Sequence, residues 1–338
     1  MDKILIIPLL LSFFISLFFI PSWIKKAKEI GLVWEDMNKI NSEKVAGSGG
    51  IIVILGFIMG VLFFVAYRTF YLKNSEYLIS VLVILIVVLL AGGLGLIDDL
   101  LGWRRGGLSK KARILFILIS AIPLMAINVA KAPDFFYHLG LESREVAFLY
   151  MFVLVPIGIL GVTTTFNFLA GFNGLEAGQG IILLSSLSII AFLRGDSWLS
   201  VVALCMVAAL IGFIYYNFFP AKVFPGDSLT YAVGSLIAVI SIIGHFEIIA
   251  AFFFIPYIIE FFLKVRGKLN KYSFGKPNQD GSLSMAYEKI YGLEHAAIWF
   301  FEKVGLKAKE KRVTFLIWSF QILIICLGFI IFKKMIFI

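Results

Sequence analysis

Acidic residues are scarce in this chain, and their positions are informative. Asp98-Asp99 closes one long apolar stretch, in Gly95-Leu96-Ile97-Asp98-Asp99, and Asp227 opens another, in Val223-Phe224-Pro225-Gly226-Asp227. Between them lies an amide-rich turn from Asn167 to Glu176, containing Gly171, Asn173 and Gly174. A carboxylate costs roughly 2.5 kcal/mol or more inside hydrocarbon, so acids at the ends of membrane helices usually serve function. Three carboxylates with carboxamides form an oxygen donor set suited to a hard divalent metal. Each piece also has a plainer use. The aspartates could cap helices, and the asparagines could be ordinary turn residues. The run from Trp103 to Lys111, with Arg104, Arg105, Lys110 and Lys111, shifts the balance. Basic groups beside acids at a membrane surface can hold a phosphate while the carboxylates handle a metal or a proton. Phe224 could stack on a planar base, and Asp36-Met37-Asn38-Lys39 and Lys44 to Gly50 supply a further polar wall.

The elements that position these residues follow from composition. The 338 residues are 61% hydrophobic and 15% charged, and the mean hydropathy is +0.99. These values predict an all-α, polytopic integral membrane protein. With about 20 residues needed per crossing, ten stretches qualify: 3–23, 49–69, 77–97, 112–131, 147–166, 178–194, 197–217, 229–244, 247–264 and 314–332. The first is read as a retained transmembrane helix, since no small-residue cleavage pattern follows it. Connections after the odd-numbered helices then share one side, and they contain every polar motif above. They also carry 22 of the 30 Lys and Arg residues, helix-edge Arg113 and Lys264 included. The positive-inside rule places that side in the cytoplasm and both termini outside. The net charge of +9 thus reflects topology and contacts with membrane lipids, not nucleic acid.

The chain reads as one membrane domain, 1–338. Its longest loop, 265–313, is irregular at first and then amphipathic from Met285 to Leu306, as in a helix lying in the interface. Cys205 and Cys326 read as separate thiols, and His138, His245 and His295 have no metal-ligand spacing. His295 is expected to decorate the amphipathic helix.

Taken together, these residues resemble the polyprenyl-phosphate N-acetylhexosamine-1-phosphate transferases over almost the whole chain. Asp98-Asp99 is similar to the family's paired aspartates, Asn167 to Gln179 to its asparagine-rich loop, and Phe224-Pro225-Gly226-Asp227 to its F-x-G-D element. The stretch Leu169 to Gln179, Asp36-Met37-Asn38-Lys39, and Leu283 to Lys289 resemble most the eukaryotic and archaeal UDP-GlcNAc–dolichyl-phosphate GlcNAc-1-phosphate transferases. Lysines such as Lys271 and Lys276 stand where the eukaryotic members carry an arginine-rich stretch. Gly47 stands where they carry an acid, and the histidine-rich motif of bacterial relatives is absent. These departures fit an archaeal-type member in a cell membrane, the endoplasmic reticulum being the eukaryotic counterpart.

The resemblance implies transfer of GlcNAc-1-phosphate from UDP-GlcNAc to dolichyl or another polyprenyl phosphate, releasing UMP, at the cytoplasmic membrane face. This would be the first step of lipid-linked oligosaccharide assembly for N-glycosylation. It implies that Asn167 and Asp227 hold Mg²⁺, or Mn²⁺ in its place. Asp98, Asp99 and Lys111 would be catalytic. Met37, Lys110, Gly171, Asn173, Phe224, Lys271 and Lys276 would bind substrate, with Gly171, Asn173 and Phe224 on the uridine. A homodimer is compatible with the sequence. Two rivals remain: the same transfer with another UDP-sugar, and an ion-coupled secondary transporter.

Overall fold

Long runs of Leu, Ile, Val and Phe have one economical form in hydrocarbon, the helix that satisfies its own backbone. The computed structural model describes residues 6–41, 43–127 and 144–337, and these are helical apart from two short hairpins and the loops. The helices are α1 (Ile6–Ile30), α2 (Gly50–Ala66, continued by a π turn at Tyr67–Tyr71), α3 (Leu78–Arg105), α4 (Lys110–Ser120) and α5 (Ile122–Ala126). Then come α6 (Arg144–Leu149), which runs through a π turn into α7 (Val155–Phe166), α8 (Leu175–Leu193), α9 (Ser197–Asn217) and α10 (Gly226–Ile243). The last are α11 (Glu247–Phe253), α12 (Ile255–Arg266), α13 (Leu293–Lys303), α14 (Glu310–Ile331) and α15 (Lys333–Ile336). Strands β1 (Val33–Glu35) and β2 (Lys44–Ala46) pair antiparallel with Val33 opposite Ala46, and β3 (Lys276–Pro277) pairs with β4 (Leu283–Ser284).

Eight helices among the described residues are long and apolar enough to cross a membrane. A ninth crossing results if α11 and α12, bent by 59° at Phe254, form one span. The expected ten spans are therefore not all present among these residues. The predicted span 112–131 begins with α4 and α5, and its residues 128–131 lie outside the described residues, as do Lys3 and His138. The side chains of residues 103–105 also lie outside them.

Helix α10 is the centre of the bundle. Every residue from Ser228 to Ile243 is buried, and the helix packs on α3, α7 and α2. Its approach to α3 is close because Gly95 faces it, and a Cβ there would overlap the Asp227 carbonyl. This contact fixes the end of α3 against the start of α10. The loops following α1, α3, α7, α9 and α12 meet at that same end. Ala46 bridges to Val223, Asn38 bonds to Gly171 and Gly275, and Asp99 bonds to Asp227. The shared side inferred from helix parity is thus the side on which these loops assemble.

Candidate active site

The site forms where α3 turns back. Gly106, left-handed at φ 82°, ends the helix, and Ser109 caps α4 by accepting from the Ala112 N–H at 3.2 Å. The reversal brings Arg113 onto Asp98, with Nε 2.5 Å from Oδ2 and Nη2 3.1 Å from Oδ1. The Leu108 N–H also donates to Asp98 Oδ1, at 2.7 Å. Such a two-point guanidinium–carboxylate contact is among the stronger polar pairs. Asp99 faces the other way and caps α10, accepting from the N–H groups of Asp227 at 2.8 Å and Ser228 at 3.4 Å. Helix capping, the plain use of the paired aspartates, is therefore real for Asp99, and it positions Asp227.

Asp227 lies in the first turn of α10, among the charges of Asp98, Asp99 and Arg113, with its carboxyl close to that of Asp98. Among the described residues no Lys or Arg pairs with it directly. Asn167 ends α7. Its Oδ1 accepts from Thr230 Oγ1 at 3.1 Å, and the buried Tyr231 hydroxyl meets the same carboxamide. No three His, Cys, Asp or Glu side chains among the described residues are grouped to cage a metal. The donors on offer are one carboxylate without a basic partner and one carboxamide oxygen. That is a fit for Mg²⁺, which takes one or two protein oxygens and completes its shell with water and substrate phosphates.

Gly226 allows this packing. Its φ is +71°, a region that side chains disfavour, and a Cβ would overlap the Asp99 carboxylate. Gly226→Ala is expected to displace Asp99 from the α10 cap and to cost about 1–3 kcal/mol of stability. The thermal midpoint in detergent measures this, and an unchanged midpoint would remove the cap from the argument.

A second cluster surrounds the amide-rich turn. The Gly171 N–H donates to Glu176 Oε1 at 3.0 Å. The buried Asn173 donates from its backbone N–H to Glu310 Oε1 at 2.8 Å, and from Nδ2 to Asp36 Oδ2 at 3.2 Å. Asp36 is paired with Lys39 at 2.8 Å. Asn173 is thus held by an acid of the first loop and one at the start of α14, and its side-chain oxygen is the end left for a ligand. Phe224 is half-buried, and its backbone pairs with the first loop, donating to Ala46 O at 2.8 Å and accepting from the Gly49 N–H at 2.9 Å.

The structure brings Asp98, Asp99, Asn167 and Asp227 into one cluster, and Gly171 and Asn173 into the neighbouring one. Met37, Lys110 and Lys111 are exposed near the loop mouths and make no ion pair among the described residues. Lys271 lies over the rings of Tyr287 and Tyr291, at 4.8 and 5.7 Å, and Lys276 is exposed in β3. Arg113 was not among the residues singled out for chemistry. Its only sequence signal is a helix-edge cation, and its contact with Asp98 appears once α3 and α4 fold together.

The amphipathic stretch is shorter than its sequence pattern. Only α13 is helical, starting where Glu260 Oε2 accepts from the Leu293 N–H at 2.6 Å. His295 does not decorate a surface. It is fully buried, because its Nε2 meets the Phe274 carbonyl at 3.3 Å. Glu294 is also fully buried, and burial together with the Glu260 charge holds its carboxyl well above the usual range against the pull of Lys264. A raised carboxyl pKa favours folding below the unfolded value and loses that contribution as pH rises through the folded value. Glu294→Gln is expected to flatten the fall in thermal midpoint as pH rises above the ordinary carboxyl range. An unchanged pH slope would contradict this.

Comparison with known proteins follows the same lines. Residues 81–245 match the signature of glycosyl transferase family 4. A Saccharolobus solfataricus protein provisionally named UDP-N-acetylglucosamine–dolichyl-phosphate N-acetylglucosaminephosphotransferase is 32% identical over 94% of this chain and 93% of its own length. The Dictyostelium discoideum protein of that name, without the qualifier, is 27% identical over 73% of this chain and 68% of its own. A phospho-N-acetylmuramoyl-pentapeptide-transferase of Halalkalibacterium halodurans is 28% identical over 74% of this chain and 78% of its own.

Proposed function

This chain belongs to glycosyl transferase family 4, and from that premise we propose that it transfers GlcNAc-1-phosphate from UDP-GlcNAc to dolichyl phosphate, with UMP as the leaving group. The observation that carries this reading is the convergence of Asp98, Asp99, Asn167, Asp227 and Arg113 at one end of the bundle. There a polar nucleotide sugar from solution and a phosphate on a membrane lipid can meet without either crossing the bilayer. The bias of Lys and Arg to the same side supports a cytoplasmic orientation.

An oxygen of the acceptor phosphate attacks the β-phosphorus of UDP-GlcNAc. The bond from that phosphorus to the bridging oxygen breaks, and UMP departs with the electron pair. Mg²⁺, held by Asp227 and Asn167, would neutralise the diphosphate and the charge growing on UMP. Asp99 aims Asp227 by capping its helix. Asp98 holds Arg113, whose remaining N–H groups can face a phosphate. With Asp98 engaged by Arg113 and Asp99 by backbone N–H groups, neither is a free base. The acceptor phosphate, already anionic, needs none, which favours direct attack over an aspartyl-phosphate route. The turn at Gly171–Asn173 and the ring of Phe224 would hold uridine.

The transporter reading fits less well, because these groups cluster at helix ends while coupling sites lie near mid-span. The test is UMP release by purified protein with UDP-GlcNAc, dolichyl phosphate and Mg²⁺. UMP that appears only with lipid and metal, together with GlcNAc-diphospho-lipid, is the expected result. Activity with a different UDP-sugar alone would keep the chemistry and change the substrate. Silence with every sugar in folded protein would overturn the reading.

A further inference from the structure

A segment with no part in the mechanism above grips the amide-rich turn from outside. After α12 the chain passes through Ser273, Phe274 and Gly275 before β3, and each of the three is tied down. Lys264 Nζ donates to Ser273 Oγ at 2.5 Å while pairing with Glu260 at 3.2 Å. The Phe274 carbonyl meets His295. Its ring covers Gly171 so closely that a Cβ there would stand 2.8 Å away, and Gly171 has φ +105°. The Gly275 N–H donates to Asn38 Oδ1 at 3.1 Å.

Asn38 closes the knot. Its Nδ2 donates to the Gly171 carbonyl at 2.8 Å, and its own N–H donates to Asp36 Oδ1 at 3.2 Å. The side chain is 6% exposed. One carboxamide thus joins the first, third and last loops of the site by donating with one end and accepting with the other. An aspartate could accept from Gly275 but could not donate to a carbonyl, and a leucine could do neither.

We propose that Asn38 is a positioning residue for the donor, locking the 273–275 strap onto the Gly171–Asn173 turn so that the last loop and the base-holding turn stay in register. This rests on the functional reading above. In that reading the turn holds the base and the last loop, tied to it through Asn38, would cover the sugar, so loss of the lock would weaken both grip and sugar choice. The hydrogen bonds of Asn38 go to Asp36, Gly171 and Gly275 and not to α3 or α4, where Arg113 would meet the acceptor phosphate, so acceptor binding is expected to be untouched.

The test uses the full chain in detergent, with steady-state kinetics for both substrates and equilibrium binding of UDP-GlcNAc by calorimetry. Asn38→Asp is expected to raise KM and Kd for UDP-GlcNAc roughly tenfold, the effect of losing a buried hydrogen bond and stranding its partner. KM for dolichyl phosphate should stay within about twofold, and preference for UDP-GlcNAc over UDP-glucose should narrow. A folded variant with unchanged donor constants, or with donor and acceptor KM rising together, overturns the proposal. If Asn38→Asp does not fold, Phe274→Leu removes the ring over Gly171 while keeping an apolar side chain. The same donor-selective rise is expected, and its absence is decisive. Wild-type protein that neither binds nor turns over UDP-GlcNAc overturns the functional reading together with this proposal. Wild type that does both, with variants of unchanged donor constants, overturns the proposal alone.

Discussion

Asp227→Ala is expected to lower UMP release by about 10³-fold or more, the scale of removing a group that holds charge in place during phosphoryl transfer. The same variant should fold. Asp227 sits among Asp98, Asp99 and Arg113, and no described basic residue pairs with it directly. Removing it therefore relieves like-charge crowding and strands no partner. The α10 cap survives, because Asp99 binds the backbone N–H at 227 and not the side chain. A thermal midpoint at or above that of the wild type, with turnover lost at every Mg²⁺ concentration, is the expected pair of results. Normal metal-dependent turnover in the folded variant would dismiss Asp227 as a ligand.

Arg113→Ala should come next in size, at about 10²-fold or more in turnover, with a measurable loss of stability. Here removal strands a partner, since Asp98 is 3% exposed and loses its two-point contact while Asp99 and Asp227 stay beside it. The Arg113 side chain is itself about a third exposed, so water offsets part of the cost. Arg113→Lys keeps the charge but loses the two-point contact. It is expected to recover turnover to within about tenfold of wild type, which would separate the need for charge from the need for the fork. Lys111→Ala is the useful contrast, because Lys111 is exposed and unpaired among the described residues. A larger loss at Lys111 than at Arg113 would favour Lys111, the residue that the resemblance places at a phosphate.

Much of this site was legible in the sequence, for a physical reason. Carboxylates and carboxamides at the ends of apolar runs are so costly in a membrane that their positions carry information. Helix parity then required Asp98, Asp99, Asn167 and Asp227 to share a side, and in the structure they do. The partners were not legible. Arg113 reaches Asp98 only through the reversal at Gly106, and Glu310 reaches Asn173 from a helix 137 residues away. Local pattern carries no trace of such contacts. His295 shows the opposite failure. Its neighbours have amphipathic spacing, so a surface position was expected, but a backbone carbonyl of the 273–275 strap draws it inward. The count of ten spans is not confirmed: eight or nine are found among the described residues, and the span expected at 112–131 runs past the last described residue of that segment.

The hold of Glu310 on Asn173 has a consequence for biogenesis. Glu310 begins the last long apolar helix, whereas Asp36 and Asn38 lie directly after the first. A membrane chain inserts in order as it is synthesised, so the amide-rich turn, already held by Asp36, Asn38 and Glu176, gains its last brace only when the start of that helix has been made. Nascent intermediates can thread, pack and wait without a finished pocket. A half-inserted protein would leave the nucleotide-sugar pool untouched, and the enzyme would switch on only when its assembly is done.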